Sequence, residues 1–447
     1  MHIRNVYRDG IDFTQLSTAY LPLRNYLIET SKSHKTIDFK DQAAQRCLTE
    51  ALLHRDFNLK IRLLPDRLCP PVPNRLNYVL WLQDIISASR YVEEHDSKSI
   101  VHGIDVGTGA SAIFPLLACT LEKSWKFMVS EIDPYSFENA NHNISANKLE
   151  DRIQIVRSNA TSPILLPLYI DEDRRFDFSM CNPPFYSSLQ DVAQSAEAKE
   201  NGPNAVCTGA EVEMITSGGE SAFVGKMVIE SLSIRGRCRW YTSMLGKLSS
   251  AAEVIDILKS NSIDNYILTE FVQGQTRRWA VGWSYTDIRL PDSISRILNS
   301  NPTIAKYLPA HNTIQQPVLS VSRKSLYEMV SSVLSSLSHI HFHDDPHGRD
   351  PSDMEIDTEP RAGVGFLVFA QEDTWSRSAR RRQKRLLGDS ARPDLNLLSS
   401  VSAASAERPN SPADPTTQSF TVEFTWRQGR DRRLFDSFCS HVSGKVQ

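Results

Sequence analysis

The central part of the chain alternates short apolar runs with amphipathic segments, which is the pattern of a doubly wound α/β domain. The predicted strands are residues 99–106, 126–131, 152–157, 176–181, 238–245, 265–272 and 278–285. A short loop containing Gly274 separates the last two, as in an antiparallel hairpin. We therefore predict an α/β fold with a Rossmann-like, seven-stranded sheet in residues 76–290.

Helical spacing of apolar residues predicts two helices before this sheet, at residues 38–57 and 75–89. Residues 1–75 contain 12 Lys or Arg against 8 Asp or Glu, and aromatic residues lie among the first of these charges. This mixture suits single-stranded or looped RNA, with an ordinary solvated arm as the alternative. We predict an N-terminal helical RNA-binding extension at residues 1–75, in which Arg4, Arg8 and Lys35 contact the RNA.

The pattern changes after residue 290. Residues 291–312 have the composition of a linker, and residues 313–447 predict a small α+β module with the order β-α-β-β-α-β-α. Its predicted strands are residues 317–322, 339–343, 363–369 and 420–426, and its predicted helices are 325–337, 375–387 and 432–446. Polar, turn-rich composition predicts disordered insertions at 344–360 and 388–418. A basic cluster at 377–385 indicates a solvated helix face, RNA binding or nuclear import.

Composition narrows the class of protein. With 40% hydrophobic and 23% charged residues the chain is typical of globular domains, and no apolar run reaches transmembrane length. Seven cysteines without a C-x-x-C pair favour reduced thiols in the cytosol or nucleus. His339, His341, His343 and His347 could converge on a metal from one strand face. No spacing fixes a fourth ligand, so we interpret them as an exposed face and predict no metal.

The most informative stretch is Asn182-Pro183-Pro184-Phe185, at the end of the strand predicted for residues 176–181. The prolines hold an extended turn with free carbonyls, so the Asn182 side chain and the Pro183 carbonyl can accept hydrogen bonds from a planar amino group. Phe185 or Tyr186 would stack on the ring that carries it. The turn suits methyl transfer to an amino nitrogen such as N6 of adenine, and a loop that merely closes a strand is the alternative.

A second turn, Gly107-Thr108-Gly109, follows the first strand of the sheet and is preceded by Asp105. A Gly-x-Gly turn lets a ligand approach the backbone at a helix N-terminus, and Glu131 lies where an acidic side chain takes ribose hydroxyls. Dinucleotide and S-adenosylmethionine sites share these features. The Asn-Pro-Pro-Phe turn has no role in hydride transfer, so together the two turns favour an S-adenosylmethionine-dependent methyltransferase. The long segment 187–217 follows the Asn-Pro-Pro-Phe turn, and we interpret it as an active-site lid, with disorder as the alternative.

These motifs resemble the methyltransferase-like protein 16 family. The resemblance runs from residue 1 to about residue 285 and rests on short motifs: Arg75-Leu76-Asn77-Tyr78, residues 103–111, residues 180–185, Gly218-Gly219-Glu220, Trp240-Tyr241, residues 244–247 and Thr269-Glu270-Phe271. It implies an RNA adenine-N6 methyltransferase that uses S-adenosylmethionine to methylate U6 small nuclear RNA. Enzymes acting on ribosomal RNA adenine, or on a protein glutamine amide, are the alternatives. We expect the nucleus as the location, with the cytoplasm as a second compartment.

The resemblance also implies site residues. The candidate cofactor-binding residues are Arg75, Asp105, Gly107, Thr108, Gly109, Ser111, Glu131, Thr161 and Asn182, and the candidate catalytic residues are Asn182, Pro183, Pro184 and Phe185. The candidate RNA-binding residues are Arg4, Arg8, Lys35, Tyr186, Lys247, Arg277 and Arg278. Residues 158–161 lack the lysine of the animal proteins, which argues against their loop-gated control of the cofactor. The part of the chain after residue 290 resembles the animal RNA-binding region only loosely.

Overall fold

A computed structural model describes residues 1–30, 34–93, 99–192, 210–274, 276–320, 322–345, 365–376, 397–405 and 418–446. Within these, the chain forms two compact units. The first comprises the described residues of Met1–Ser87, His95–Thr286 and Ile294–Pro309, and the second those of Ala88–Glu94, Asp287–Ser293 and Ala310–Gln447.

A seven-stranded sheet forms the centre of the first unit and confirms the prediction. Its strands are β3 (Val101–Val106), β4 (Trp125–Glu131), β5 (Ile153–Arg157), β6 (Phe176–Cys181), β7 (Cys238–Leu245), β8 (Tyr266–Gln273) and β9 (Thr276–Trp283), in the order β5-β4-β3-β6-β7-β9-β8. The first five are parallel, and β9 is antiparallel to β7 and β8. The chain leaves β3 in one direction and returns to its other side at β6, which makes the β3/β6 pair a topological switch point.

Helices connect these strands and precede the sheet. They are α1 (Phe13–Ala19), α2 (Gln42–Phe57), α3 (Val72–Glu93), α4 (Ile113–Leu121), α5 (Pro134–Ala146), α6 (Pro167–Ile170), α7 (Glu211–Met214), α8 (Gly219–Ile234) and α9 (Leu248–Ser260). Acidic side chains begin several of them, because a carboxylate accepts hydrogen bonds from otherwise unpaired N–H groups. Asp12 caps α1, Asp41 caps α2 and Asp133 caps α5 in this way.

The N-terminal extension packs against α3. A short hairpin of β1 (Leu27–Glu29) and β2 (Lys35–Ile37) lies between α1 and α2. The buried Asn5 amide donates to the Pro73 carbonyl at 2.9 Å and to the Asn77 side chain at 2.8 Å. The predicted extension therefore shares its packing with the first unit.

The predicted linker, residues 291–312, requires a correction. It contains α10 (Asp292–Ser295) and α11 (Pro302–Ala305), and Ile297 and Ile304 are buried in the core of the first unit. The Trp81 indole also donates to the Ile294 carbonyl at 3.0 Å. Turn-forming residues gave this segment the composition of a linker, although its two isoleucines anchor it to the core.

The second unit contains a five-stranded antiparallel sheet in the order β10-β14-β13-β12-β11, with α12 (Arg323–Ser335) and α13 (Arg432–Val446). Its strands are β10 (Thr313–Ser320), β11 (Ile340–Asp344), β12 (Gly365–Ala370), β13 (Leu397–Ser405) and β14 (Gln418–Gln428). β13 corrects the prediction, because it forms a strand in a stretch where we expected disorder. The small polar residues of β13 give a weak strand pattern, although the strand is paired on both sides. Most of the predicted helix 375–387, including the basic cluster, lies outside the described residues, as do parts of both insertions.

The sheet of the first unit contains a position with no room for a side chain. A Cβ atom on Gly103 would lie 2.6 Å from the Phe178 ring and 2.8 Å from the Phe127 ring. We expect Gly103→Ala to lower the free energy of unfolding by about 1–3 kcal/mol, because overpacking forces buried rings off their preferred positions. Chemical denaturation measures the change.

The matched control is Gly236→Ala, at an exposed glycine with nothing within 4 Å of its Cβ position. The overpacking explanation fails if both alanine variants unfold at the same denaturant concentration.

Candidate functional site

The two predicted turns lie side by side because their strands are paired. Val106 at the end of β3 is in register with Cys181 at the end of β6. Gly107 and Asn182 follow directly, so both turns emerge at the carboxyl edge of the sheet, on neighbouring strands. Open α/β sheets bind ligands at such a switch point.

The turn after β3 requires its glycines. Gly107 and Gly109 have φ values of 67° and 69°, in the left-handed region that side chains disfavour. No atom of a described residue lies within 4 Å of the Cβ position of Gly107. The turn therefore leaves open space against its backbone, where a ligand can approach.

Glu131 ends β4 and holds this turn in place. One carboxylate oxygen accepts the Gly109 N–H at 2.8 Å, and the other accepts those of Ile132 and Asp133 at 2.9 Å. Burial raises the pKa of Glu131, while the three N–H donors oppose that rise. The carboxylate is thus fixed in orientation beside the cavity before any ligand binds.

Arg75 and Asp105 are buried ionisable residues at the centre of the site. The Arg75 guanidinium donates to the Asn182 side-chain oxygen at 3.5 Å and lies over the Phe114 ring. Burial, reinforced by Arg278, lowers the pKa of Arg75 to about 10. Burial also raises the pKa of Asp105 to about 7.

Several polar atoms of this region lack partners within the described part of the chain. The Asp105 oxygens and the Thr108 hydroxyl form no hydrogen bond of ordinary geometry there, although the neighbouring Thr108 side chain partly offsets the rise in the pKa of Asp105. Buried polar atoms are normally paired, so such atoms mark a place that a polar ligand completes. Together with the glycine turn, they fit a ligand that carries hydroxyl and ammonium donors, as the predicted cofactor does.

Glu220, on α8, supports the turn Asn182-Pro183-Pro184-Phe185, which we call the acceptor turn. Its carboxylate accepts the N–H groups of Gly246 at 2.7 Å and Lys247 at 2.9 Å. This holds the turn after β7, where a Cβ on Gly246 would lie 3.3 Å from the Phe185 ring. Phe185 is half-buried with Arg278 5.8 Å from its ring, whereas Tyr186 is buried. Phe185 is therefore the better placed of the two for stacking.

A cavity of about 890 Å³ joins the two turns. The predicted residues that line it are Arg75, Gly107, Thr108, Gly109, Ser111, Glu131, Asn182, Pro183 and Pro184. Asp105 lies behind the wall, and Phe185 and Thr161 are outside it. Thr161 is exposed and its hydroxyl donates to Asn159 at 2.7 Å, although its neighbours Ala160 and Ser162 line the cavity.

The predicted RNA-binding residues are dispersed. Arg8 and Lys35 are exposed, while Arg4 forms an ion pair with Asp84 and donates to the Gln83 side chain at 2.8 Å. Arg277 pairs with Glu270 at 3.0 Å. Lys247 is exposed next to the acceptor turn, 3.7 Å from Asp191. Of the exposed lysines predicted to bind RNA, Lys247 is thus the one beside the site.

Part of the cavity wall is formed by residues that the sequence patterns did not indicate. Among these residues are Leu68, Pro70, Val212, Glu213 and Thr216. The last three belong to the segment 187–217, whose described part includes α7 and whose residues 193–209 lie outside the described residues. The run Glu211-Val212-Glu213-Met214 carries a weak helical signal that the long surrounding loop obscured.

The histidine cluster is not a metal site within the described residues. His341 and His343 are exposed on β11, but His339 precedes that strand with φ of 57° and lies 3.8 Å from Glu372. No three His, Cys, Asp or Glu side chains of the described ranges are grouped to hold a metal, and His347 is outside them. None of the described helices is both long and apolar enough to span a membrane.

Fold and site together define a Rossmann-type enzyme with a nucleotide-like ligand. A family model described as RNA methyltransferase matches residues 1–287. The chain belongs to this RNA methyltransferase family.

The chain aligns with different shares of the length of its relatives. It is 35% identical over 425 residues to the "U6 small nuclear RNA (adenine-(43)-N(6))-methyltransferase" of Schizosaccharomyces pombe, covering 93% of this chain and 97% of that protein. It is 37% identical over 300 residues to the human "RNA N(6)-adenosine-methyltransferase METTL16", covering 66% of this chain and 52% of that protein. The chain therefore matches nearly all of the yeast relative and about half of the human one.

Solved structures of human METTL16 domains match 64% of the chain. One, in complex with the MAT2A 3'UTR hairpin 1, has a TM-score of 0.57 and 36% identity, covering 64% of this chain and 96% of that one. Another, of the N-terminal domain in complex with SAH, has a TM-score of 0.54 and 36% identity, covering 64% and 99%. The predicted methyltransferase fold is confirmed.

The raised pKa of Asp105 predicts a pH-dependent cost to stability. Folding favours its protonated form, so the folded protein binds more protons than the unfolded chain between about pH 4 and pH 7, and stability falls as pH rises through that window. Without ligand, we expect the melting temperature of Asp105→Asn minus that of the wild type to be several degrees larger at pH 8 than at pH 5. Thermal unfolding at the two pH values measures this difference.

Glu253→Gln, which neutralises an exposed carboxylate on α9, serves as the control. If the difference in melting temperature between Asp105→Asn and the wild type stays constant with pH, the pKa of Asp105 is not raised by folding.

Proposed function

We propose that this protein is an RNA adenine-N6 methyltransferase that uses S-adenosylmethionine and acts on an adenosine of U6 small nuclear RNA. The observation that carries the proposal is the pairing of β3 with β6, which brings the glycine turn and the Asn182-Pro183-Pro184 turn to one cavity. The family match and the names of the relatives support the reaction, and the yeast relative's name supports the substrate.

The cofactor would be held by residues from three elements. Glu131 would accept the ribose hydroxyls, and the turn Gly107–Gly109 would lie against the ligand with its unpaired Thr108 hydroxyl. Arg75, which lines the cavity, would pair with the carboxylate end of the cofactor, and the buried Asp105 behind the wall would attract its ammonium end. S-adenosylmethionine, when bound, supplies an electrophilic methyl group.

The acceptor turn orients the adenine amino group. The lone pair of N6 is delocalised into the ring, so the nitrogen must become more tetrahedral to act as a nucleophile. The Asn182 oxygen and the Pro183 carbonyl accept its two hydrogen bonds and favour that geometry. Arg75 donates to the same Asn182 oxygen and so keeps the amide from turning its NH2 group toward the base. Arg75 is thus a positioning residue for Asn182, and no basic side chain is required because the proton leaves after transfer.

The cavity also constrains the RNA. An adenine inside a duplex cannot reach a turn at the edge of a sheet, so the target base must be unpaired or flipped out. Phe185 would stack on it, and base–aromatic stacking contributes about 1–3 kcal/mol. Arg278 beside the Phe185 ring is placed to meet a phosphate of the same strand.

Two further substrates compete with U6 RNA. Ribosomal RNA adenine would use the same turn, and a protein glutamine amide offers the same planar NH2 group. Transfer of radiolabelled methyl from S-adenosylmethionine to purified total nuclear RNA, ribosomal RNA and protein, with sequencing of the labelled RNA, distinguishes them. Label in protein alone would refute the RNA reaction. A nuclear location, with some protein in the cytoplasm, is part of this proposal and is tested by imaging the tagged chain.

Asn182→Ala separates binding from chemistry. The substitution removes the side-chain acceptor and leaves the glycine turn intact. We expect methyl transfer to fall at least about 100-fold, as for loss of one positioned polar group, while S-adenosylmethionine affinity changes only a few-fold. Single-turnover kinetics and calorimetry measure the two quantities.

Gln190→Ala, at an exposed position of the segment that follows, is the control. Equal losses of binding and turnover in Asn182→Ala would make Asn182 a structural residue.

Lys247→Glu tests the RNA surface beside the acceptor turn. Reversing this exposed charge should raise the Kd for RNA and flatten its salt dependence by about one counterion, since one phosphate contact releases roughly 0.7–0.9 of an ion. Filter binding at four salt concentrations gives the slope of log Kd against the logarithm of the salt concentration.

The matched control is Lys126→Glu, the same change at an exposed residue near the start of β4, away from the carboxyl edge. If the two variants have the same slope as the wild type, Lys247 does not contact RNA.

A further inference from the structure

A short segment that follows the acceptor turn forms one wall of the cavity. Its residues Val212, Glu213 and Thr216 line the cavity together with the glycine turn. The segment is tied to the acceptor turn by two backbone hydrogen bonds, from the Tyr186 N–H to the Met214 carbonyl at 2.9 Å and from the Thr216 N–H to the Tyr186 carbonyl at 3.0 Å. We call residues 210–216 the wall segment.

Glu213 joins the wall segment to a distant part of the chain. Its Oε2 atom accepts the N–H of Leu68 at 2.9 Å and that of Ala210 at 3.0 Å. Leu68 and Pro70 precede α3 and also line the cavity. Hydrogen bonds to a carboxylate are stronger than those between neutral groups, so one oxygen holds two lining segments together.

The second oxygen of Glu213 is directed at the glycine turn. Oε1 lies 4.0 Å from the position that a Cβ atom would have on Gly109, and it forms no hydrogen bond with another described residue. Glu213 is half-buried, and Asp133 and Glu131 repel its charge while Arg67 attracts it. A partly desolvated carboxylate with one free oxygen, facing a backbone left bare for a ligand, has an unused acceptor at the ligand's surface.

We propose that Glu213 is a ligand-binding residue of the cofactor cavity: Oε2 holds the wall segment to Leu68, and Oε1 accepts a hydrogen bond from a hydroxyl or ammonium donor of the S-adenosyl ligand. The identity of that ligand rests on the proposed function. Because Tyr186 pairs with the wall segment and directly follows Phe185, ligand binding also orders the acceptor turn. Glu213 therefore couples occupancy of the cofactor cavity to the place where the adenine binds.

The experiment measures binding of S-adenosylhomocysteine, which needs no RNA and no turnover. Calorimetry on the full chain compares the wild type with Glu213→Ala, Glu213→Gln and the matched control Glu211→Ala, an exposed glutamate of the same helical turn. We expect Glu213→Ala to raise the Kd at least about tenfold, as for loss of a charge-assisted hydrogen bond. Glu213→Gln should fall between, because its amide oxygen accepts without the charge, and Glu211→Ala should stay within about twofold of the wild type.

Hydrogen exchange supplies a readout that a purely structural role would not move. In the wild type, S-adenosylhomocysteine should slow exchange in residues 185–187 and in the wall segment. In Glu213→Ala, at ligand concentrations that saturate both proteins, this added protection should be lost in residues 185–187. Where Glu213→Ala does not fold, as judged by circular dichroism, Glu213→Gln decides by the same two measurements.

The outcomes separate the two ideas. A wild type that binds no S-adenosylhomocysteine refutes the proposed function. A wild type that binds it, with Glu213 variants of unchanged Kd and unchanged protection, refutes the role of Glu213 and leaves the proposed function standing. Weaker binding with full protection of residues 185–187 would limit Glu213 to the cofactor and refute the coupling.

Discussion

The site depends on the hydrogen-bonded pairing of two parallel strands that are far apart in sequence. β3 and β6 meet with Val106 opposite Cys181, and every proposed contact to the cofactor or the adenine is arranged around that register. A shift of one residue would turn the side chains of one strand to the opposite face of the sheet and move Asn182 away from Gly107. Large buried rings hold the register, among them Phe178 against Phe127 and Trp125.

The polar centre of the site is built at the expense of folding stability. Asp105 and Arg75 are removed from water. Burial raises the pKa of Asp105 and lowers that of Arg75, so it favours the neutral form of each side chain. Uncompensated groups of this kind are costly unless a ligand supplies partners. The cavity is thus prepared in advance, which suits a reaction whose catalysis consists mainly of orienting two groups.

The N-terminal extension is anchored beside the cofactor turn rather than appended to the domain. Asparagines on one face of α5 bond to the backbone near Arg62 and to the turn itself. The Asn139 amide donates to the carbonyls of Arg62 at 3.0 Å and Ala110 at 2.8 Å, and the Arg62 N–H donates to Asn143 at 2.8 Å. A surface proposed to hold RNA therefore shares rigid contacts with the surface proposed to hold the cofactor.

Local patterns in the sequence determined the seven strands, the glycine turn and the acceptor turn, because buried parallel strands and their turns depend on residues adjacent in the chain. Only the tertiary structure decided how they are used. It placed Glu213 and Leu68 across one cavity, paired Arg4 with Asp84, buried Tyr186 and made Ile297 and Ile304 part of the core. It also made a strand of Leu397–Ser405, whose weak hydrophobic pattern is compensated by partners on both sides. Contacts between distant residues carry no signature in a single sequence, since either partner alone looks like an ordinary loop or surface residue.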